Sequence, residues 1–282
     1  MYQYSSLDGV ESILRSRTLW LSDLAASNDP RELELGYEQV VEALKSVRHT
    51  EYAGERGLFL SLLAGRLAGF RSNINVFTAC FTPLRDSLPM WREYGAGGSG
   101  CAIGFRPAAI ADMPGRLQRV SYLEGNAQHE VRSTVLAIAN TFAGSGGYHD
   151  NIFWIEATAY AAARITQTKH ASWAYEKELR LCYSQPKKAP GASDQEIASW
   201  AYPDGMEGYW QKPMIRERGC EEISYVPFHF GKRRNGVHSH QRAVSEIILG
   251  PASKASIADI TKMISELGYV DVKVSRSDCL VR

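Results

Sequence analysis

Residues 91–105 read WREYGAGGSGCAIGF, and Gly95, Gly97 and Gly100 in this stretch reproduce the G-x-G-x-x-G spacing of dinucleotide-binding loops. In a doubly wound α/β fold those glycines follow a strand and open a helix, so that the helix N-terminus and free backbone N–H groups face a pyrophosphate. The order here is reversed. Asp86 can cap a short helix through Tyr94, and the glycines lead from that helix into the strand CAIGF at 101–105. Gly95 then fits the residue just past a helix end, where positive φ is needed, and the rest fits a tight connection. No G-K-[ST] follows, which excludes a P-loop. The stretch reads as a turn, and it steers the chain away from a doubly wound fold.

Working outward, YQYSSL (2–7) reads as a strand running into a helix at 8–16 begun by Asp8, with Val10, Ile13 and Leu14 on one face. A short strand follows at 19–23. NDPREL supplies an N-cap (Asp29), a first-turn proline (Pro30) and a capping-box glutamate (Glu32) for a helix through about residue 46. Helix at 55–70 precedes INVFTACFT (74–82), a buried strand by its β-branched and aromatic content. Beyond the glycine turn come a strand at 117–123, helices at 127–142 and 151–168 separated by GSGGYHD, and the alternating strand ELRLCYS at 178–184. Loop composition marks 185–195 and a turn at 202–205, before strands at 222–230 and 244–249, a helix at 252–267 and a strand near 271–275. The pattern describes a single α+β unit, residues 1–282, with a helical insertion at approximately 125–170.

Thirty-two basic residues face 31 acidic ones, so no overall field attracts nucleic acid or an anionic membrane, and such contacts need a local patch. Cys80, Cys101, Cys182, Cys220 and Cys279 are odd in number and form no C-x-x-C, which argues for reduced, mostly buried thiols rather than disulfides or a thiolate metal site. With no signal-like N-terminus and no apolar block longer than LFLSLLAG (58–65), the expectation is a cytoplasmic protein without membrane contact.

G-x-S-x-G, H-E-x-x-H and D-x-D-x-D-G are all missing from the sequence. His238 and His240 share a strand face if extended, but no third ligand is spaced to join them, and they read as loop histidines beside Lys232, Arg233 and Arg234. The segment KHASWAYEKELRLCYS (169–184) is different. Glu176 and Glu178 stand two apart at the start of a strand and so on one face, where two carboxylates repel. Such a pair is tolerated at an exposed strand end, the reading favoured by the residues alone, or in a site that meets positive charge; Arg180, on the same face, can pair with one of them.

Taken together, YQYSSLDGVESILRSRTLWLS, NDPREL, FTACFTPLRDSLPMWREYGAGGSGCAIGF, WAYEKELRL and SEIILGP resemble a bacterial family known as domain of unknown function 2971, over nearly the whole chain. More distantly, YEKELRL is similar to the E-x-E strand of ADP-ribosyltransferases, FTACFT to the Ser-Thr-Ser strand that precedes it, and the N-terminal block to the opening of nucleic-acid-modifying members of that superfamily. The resemblance implies an ADP-ribosyltransferase-like fold, a split, bent, mostly antiparallel sheet with helical insertions, whose cleft holds NAD as substrate. It implies transfer of ADP-ribose to a macromolecular acceptor, RNA, DNA or protein, as in bacterial toxins, effectors and antiviral defence.

Under that resemblance Glu178 holds the ribose and stabilises positive charge developing there, while Glu176 orients or deprotonates the acceptor. Thr78 and Thr82 hold strand geometry or a ribose contact, and Tyr4 or Trp20 stacks on a ring. Gln3, beside Tyr4 and Ser5 on the first strand, stands where relatives carry a His or Arg, so the missing charge falls to Arg15, Arg17 or Arg164. Trp91 and Tyr94, three apart on a helix, read as core or pocket wall, and Trp173 as a shield or support of the cleft. The alternative is a non-catalytic nucleotide- or protein-binding module on the same fold. A metal-dependent nuclease needs a further carboxylate beside Glu176 and Glu178.

Overall fold

The computed structural model describes residues 1–29, 31–50, 54–123, 128–142, 151–187, 212–231 and 240–280. Strand β1 (Tyr2–Ser5) turns into helix α1 (Leu7–Ser16). The helix is capped by Ser6, whose hydroxyl accepts from Gly9 N at 3.1 Å, two residues before the expected cap; Asp8 sits instead in the first turn, where the helix dipole favours it. β2 (Thr18–Asp23) leads to α2 (Glu32–Thr50), at whose start the Asp29 carboxylate accepts from Arg31 N at 3.1 Å. Helices α3 (Glu55–Ala68) and α4 (Phe70–Asn73) precede β3 (Ile74–Phe81).

Next come α5 (Leu88–Glu93), β4 (Cys101–Phe105), α6 (Pro107–Ala111), β5 (Arg116–Arg119) and β6 (Ser121–Leu123). The strand expected at 117–123 is thus two strands, divided at Val120 because β5 and β6 join different sheets. Helices α7 (Gln128–Phe142) and α8 (Asn151–Thr166) follow, then β7 (Thr168–His170) and β8 (Leu179–Pro186). The chain closes with β9 (Met214–Arg218), β10 (Glu221–His229), β11 (Val244–Leu249), α9 (Ile257–Glu266) and β12 (Lys273–Arg276). Strands β7 and β9 have no counterpart in the sequence reading. The turns expected at 144–150 and 202–205, the loop over 188–195, Pro30, His238 and the basic run 232–234 lie outside the described residues.

The result is a mixed α+β fold with mostly antiparallel, open sheets. One sheet runs β1-β4-β11-β12, parallel at its last pair; the other runs β5-β8-β3-β2-β10-β9, antiparallel throughout; β6 and β7 form a small parallel pair. A bridge between Tyr2 and Thr82 links the two large sheets, with N–O distances of 2.7 and 2.8 Å. Their facing side chains, among them Leu19, Leu21, Phe77, Ile103, Phe105 and Ile247, make one apolar core with α1 and α9. Over the stretch where an insertion was expected, helices α7 and α8 pack on α2 and α3 in a second core around Phe59, Val131 and Ala157. Among the described residues no helix is long and apolar enough to cross a membrane.

The glycine stretch does join a helix to a strand. Gly95, however, has φ −97°, and the left-handed positions are Ala96, Gly97 and Gly98. Gly98 and Gly100 carbonyls accept from Ala252 N and Gly250 N at 2.9 Å each, so contact with that distant turn sets the loop's shape. Asp86 does not cap α5, whose N-cap is Ser87. Its carboxylate instead accepts from Trp91 Nε1 and Ser277 Oγ at 2.6 Å and from Asp278 N at 2.8 Å, tying the C-terminal segment down.

Candidate functional site

Strands alternate their side chains between two faces, so while Leu19, Leu21, Phe77 and Ala79 enter the core, Thr18, Trp20, Ser22, Thr78 and Cys80 face the other way. There they line a cavity of about 510 Å³, closed by β1, the segment 23–32, the turn before β8, and β9. That volume lies in the range of small-ligand sites, about 300–1,000 Å³.

Glu176 and Glu178 lie on its floor, each only 3% exposed, which corrects the exposed-strand reading. Glu176 ends a tight helical turn (Ala171–Glu176), Lys177 takes a left-handed conformation at φ 47°, and Glu178 stands at the entry to β8. Buried like charges persist because cations reach them. Lys169 Nζ, from β7, donates to Glu176 at 2.7 Å and to Glu178 at 3.2 Å. Arg180, 1% exposed, donates from Nε and Nη2 to Glu178 at 2.7 and 2.9 Å, from Nη1 to Thr166 O at 2.8 Å, and from Nη2 to Glu32. Tyr94 OH donates to the other oxygen of Glu176.

Burial works against the Glu178 anion, but Arg180, Lys169 and the Cys80 thiol outweigh it and bring its pKa down to about 2. For Lys169 burial is likewise the largest single influence, and Glu178, Glu32 and Glu176 together overcome it, holding the ammonium charged. Glu32, 2% exposed, goes the other way: burial prevails over Arg180 and Lys169 and raises its pKa, and its Oε2 has no hydrogen-bond partner. The Cys80 thiol opens onto the cavity, where the desolvating protein around it and the Glu178 charge push its pKa well up, so the protonated thiol donates. Two anchors fix the backbone: Thr82 Oγ1 donates to Glu176 O at 2.6 Å, and Tyr122 OH accepts from Glu178 N at 2.7 Å, its own pKa pushed up to about 12 by burial.

Of the residues expected from sequence, Gln3, Tyr4, Ser5, Trp20, Thr78, Tyr94, Glu176 and Glu178 all line this one cavity. Gln3 Oε1 is buried there without a partner. Tyr4 presents its ring as wall, since its hydroxyl donates to Leu84 O at 2.9 Å and accepts from Ser87 N at 3.2 Å. Trp20 is 45% exposed and stacks on Tyr225 at 4.3 Å. Thr82 and Trp91 stand behind the wall: the first holds Glu176, and the second is fully buried edge-on to Tyr4 at 4.6 Å.

None of Arg15, Arg17 and Arg164 reaches the cavity. Arg15 pairs with Glu11 on the surface, Arg17 terminates α1, and Arg164 pairs with Glu130. The cavity's cations are Lys169, Arg180, Arg216 and Arg218; the pairing of Arg180 with one of the glutamates follows the sequence expectation, whereas Lys169, Arg216 and Arg218 were not expected there. Glu32 is a further correction, because its side chain joins Arg180 and does not close a capping box. It is also the third carboxylate that a metal-dependent reading requires, yet Arg180 and Lys169 occupy the carboxylates, and among the described residues no cluster of His, Cys, Asp and Glu could hold a metal. All five cysteines are free, but just Cys101 and Cys182 are buried: Cys80 opens onto the cavity, Cys220 is exposed and Cys279 is half-buried.

Residues 90–181 match the model of a protein family of unknown function, DUF2971. The matched span is about a third of the chain and carries Tyr94, Lys169, both floor glutamates and Arg180. No curated protein and no solved structure matches the chain.

Proposed function

We propose that the protein transfers ADP-ribose from NAD to a macromolecular acceptor, RNA, DNA or protein, on an ADP-ribosyltransferase-like fold. The observation that carries this reading is the meeting of Tyr4, Thr78 and Glu178, from three separated segments, on one cavity. The donor set fits: aromatic walls, hydroxyls from Ser5 and Thr78, the unpartnered Gln3 Oε1, and a carboxylate held ionised on the floor.

In the reaction the bond between ribose C1′ and nicotinamide nitrogen breaks, its electron pair leaving with neutral nicotinamide, while positive charge grows on the ribose. Glu178 stabilises that charge and accepts from a ribose hydroxyl; its 3.2 Å contact with Lys169 is longer than either of its contacts with Arg180 and is the one exchanged. Lys169 stays on Glu176 at 2.7 Å. The acceptor's nucleophilic atom bonds to C1′, and its proton passes to Glu176.

A second reading, a non-catalytic nucleotide-binding module, is favoured by one observation: Arg180, Lys169 and Cys80 already engage the Glu178 oxygens. Purified protein incubated with NAD separates the two. Nicotinamide release that rises with RNA, DNA or protein supports the transferase, and NAD binding without release in any of these mixtures supports the module.

A further inference from the structure

The cleft needs a positive charge away from its carboxylate floor if its ligand carries phosphate, and β1 offers the uncharged Gln3. Two guanidiniums supply charge from the opposite edge of the six-stranded sheet. Arg216 and Arg218 alternate on β9 and both line the cavity. Arg216 reaches back across β10 to β2, where its Nη2 donates to Ser22 Oγ at 2.9 Å and its guanidinium carbon lies 5.6 Å from the Trp20 ring centre. Its Nε is buried without a partner, and among the described residues no carboxylate pairs with it. Arg218 donates to Ala26 O at 3.0 Å and to Glu221 at 3.2 Å.

Burial and repulsion from Arg218 both disfavour the Arg216 charge. Two neighbouring guanidiniums, of which Arg216 has an Nε with no partner among the described residues, beside an exposed indole, form a place for a planar base joined to an anion. Strands lie about 4.8 Å apart, so β2 stands about 10 Å across the sheet from β8 and its floor carboxylates.

We infer that Arg216, Arg218 and Trp20 form a nucleoside-diphosphate subsite at the β9 rim of the cavity, the arginines binding the phosphates and the indole the base. This deepens the transferase reading by placing the phosphate end of its donor, but the binding itself does not depend on turnover.

Calorimetric titration with ADP, adenosine and inorganic pyrophosphate tests it, on wild type and on the double variant Arg216→Ala, Arg218→Ala, with a melting curve to confirm folding and Arg216→Lys, Arg218→Lys as a second variant. ADP should bind at least tenfold more tightly than adenosine and than pyrophosphate. The alanine variant should lose that advantage over adenosine while binding adenosine as wild type does, and the lysine variant should recover part of it. Equal affinity for ADP and adenosine, an undiminished advantage in the alanine variant, pyrophosphate binding equal to that of ADP, or no binding of ADP overturns the subsite. Arg-dependent ADP binding without nicotinamide release leaves the subsite standing and removes the transferase, whereas turnover with unchanged KM for NAD in the alanine variant removes the subsite alone.

Discussion

Replacing Arg180 by methionine keeps much of the side-chain volume but leaves Glu178 and Glu32 buried with Lys169 as the nearest cation. In the native protein four donations from Arg180 converge on Glu178, Glu32 and Thr166 O, all of them buried residues. Removing one partner of such a buried pair costs about 3–5 kcal/mol. The lowered pKa of Glu178 points the same way: held at about 2 instead of the ordinary 4.5 by Arg180, Lys169 and Cys80 together against burial, the carboxyl favours the folded, ionised state by about 3 kcal/mol. Because that pKa is lowered on folding, the stabilisation is present above pH 4.5 and drains away as the pH falls toward 2. Glu32, raised on folding, opposes it by taking up a proton above 4.5.

In the variant, burial, already the largest single influence on each carboxylate, is no longer outweighed at Glu178, so both pKa values should rise on folding and acid should stabilise the fold. Urea unfolding at pH 7 should show a loss of about 3–5 kcal/mol, on the order of 10 °C in Tm, and the gap to wild type should narrow by more than about 1 kcal/mol at pH 5. A loss below about 1 kcal/mol at pH 7, or a gap that holds or widens at pH 5, would refute the account of Arg180 as the cation that keeps these anions buried.

Thr82→Val removes the 2.6 Å bond to Glu176 O and the acceptor for Leu84 N, and should cost about 1–3 kcal/mol in urea melts while lowering nicotinamide release by releasing the floor turn. Gly100→Ala places a methyl against the Ser5 and Gly95 carbonyls, whereas Gly97→Ala meets open space at φ 63°. Thermal melts should therefore show the larger loss for Gly100→Ala, about 3 kcal/mol or more against about 1 kcal/mol for Gly97→Ala; the reverse order would mean that backbone conformation, not close approach, fixes this loop.

Much of this architecture is legible locally. Strands with β-branched, aromatic or alternating residues, such as INVFTACFT and CAIGF, read correctly within a residue or two, as did the placement of the glycine loop between helix and strand. What escaped depends on distant partners. Glu32 lies 148 positions from Arg180, and the capping-box pattern around it is a sufficient local explanation that conceals its role. Lys169 and Arg180 make the glutamate pair affordable inside the protein, yet nothing in E-K-E-L-R tells a buried network from an exposed strand end. MIRER in β9 carries three charges in five residues and no apolar alternation, so neither the strand nor the cavity arginines stand out. At Val120 a run of strand formers changes sheets, which periodicity does not register.

The proposed action of Glu178 on NAD is tested most directly by nicotinamide release from wild type and Glu178→Gln, with urea unfolding to confirm that the variant is folded. The amide keeps the shape and removes the charge. Wild type should release nicotinamide and the folded variant should be slower by about 10²–10³. Release by the variant at the wild-type rate would contradict the claim.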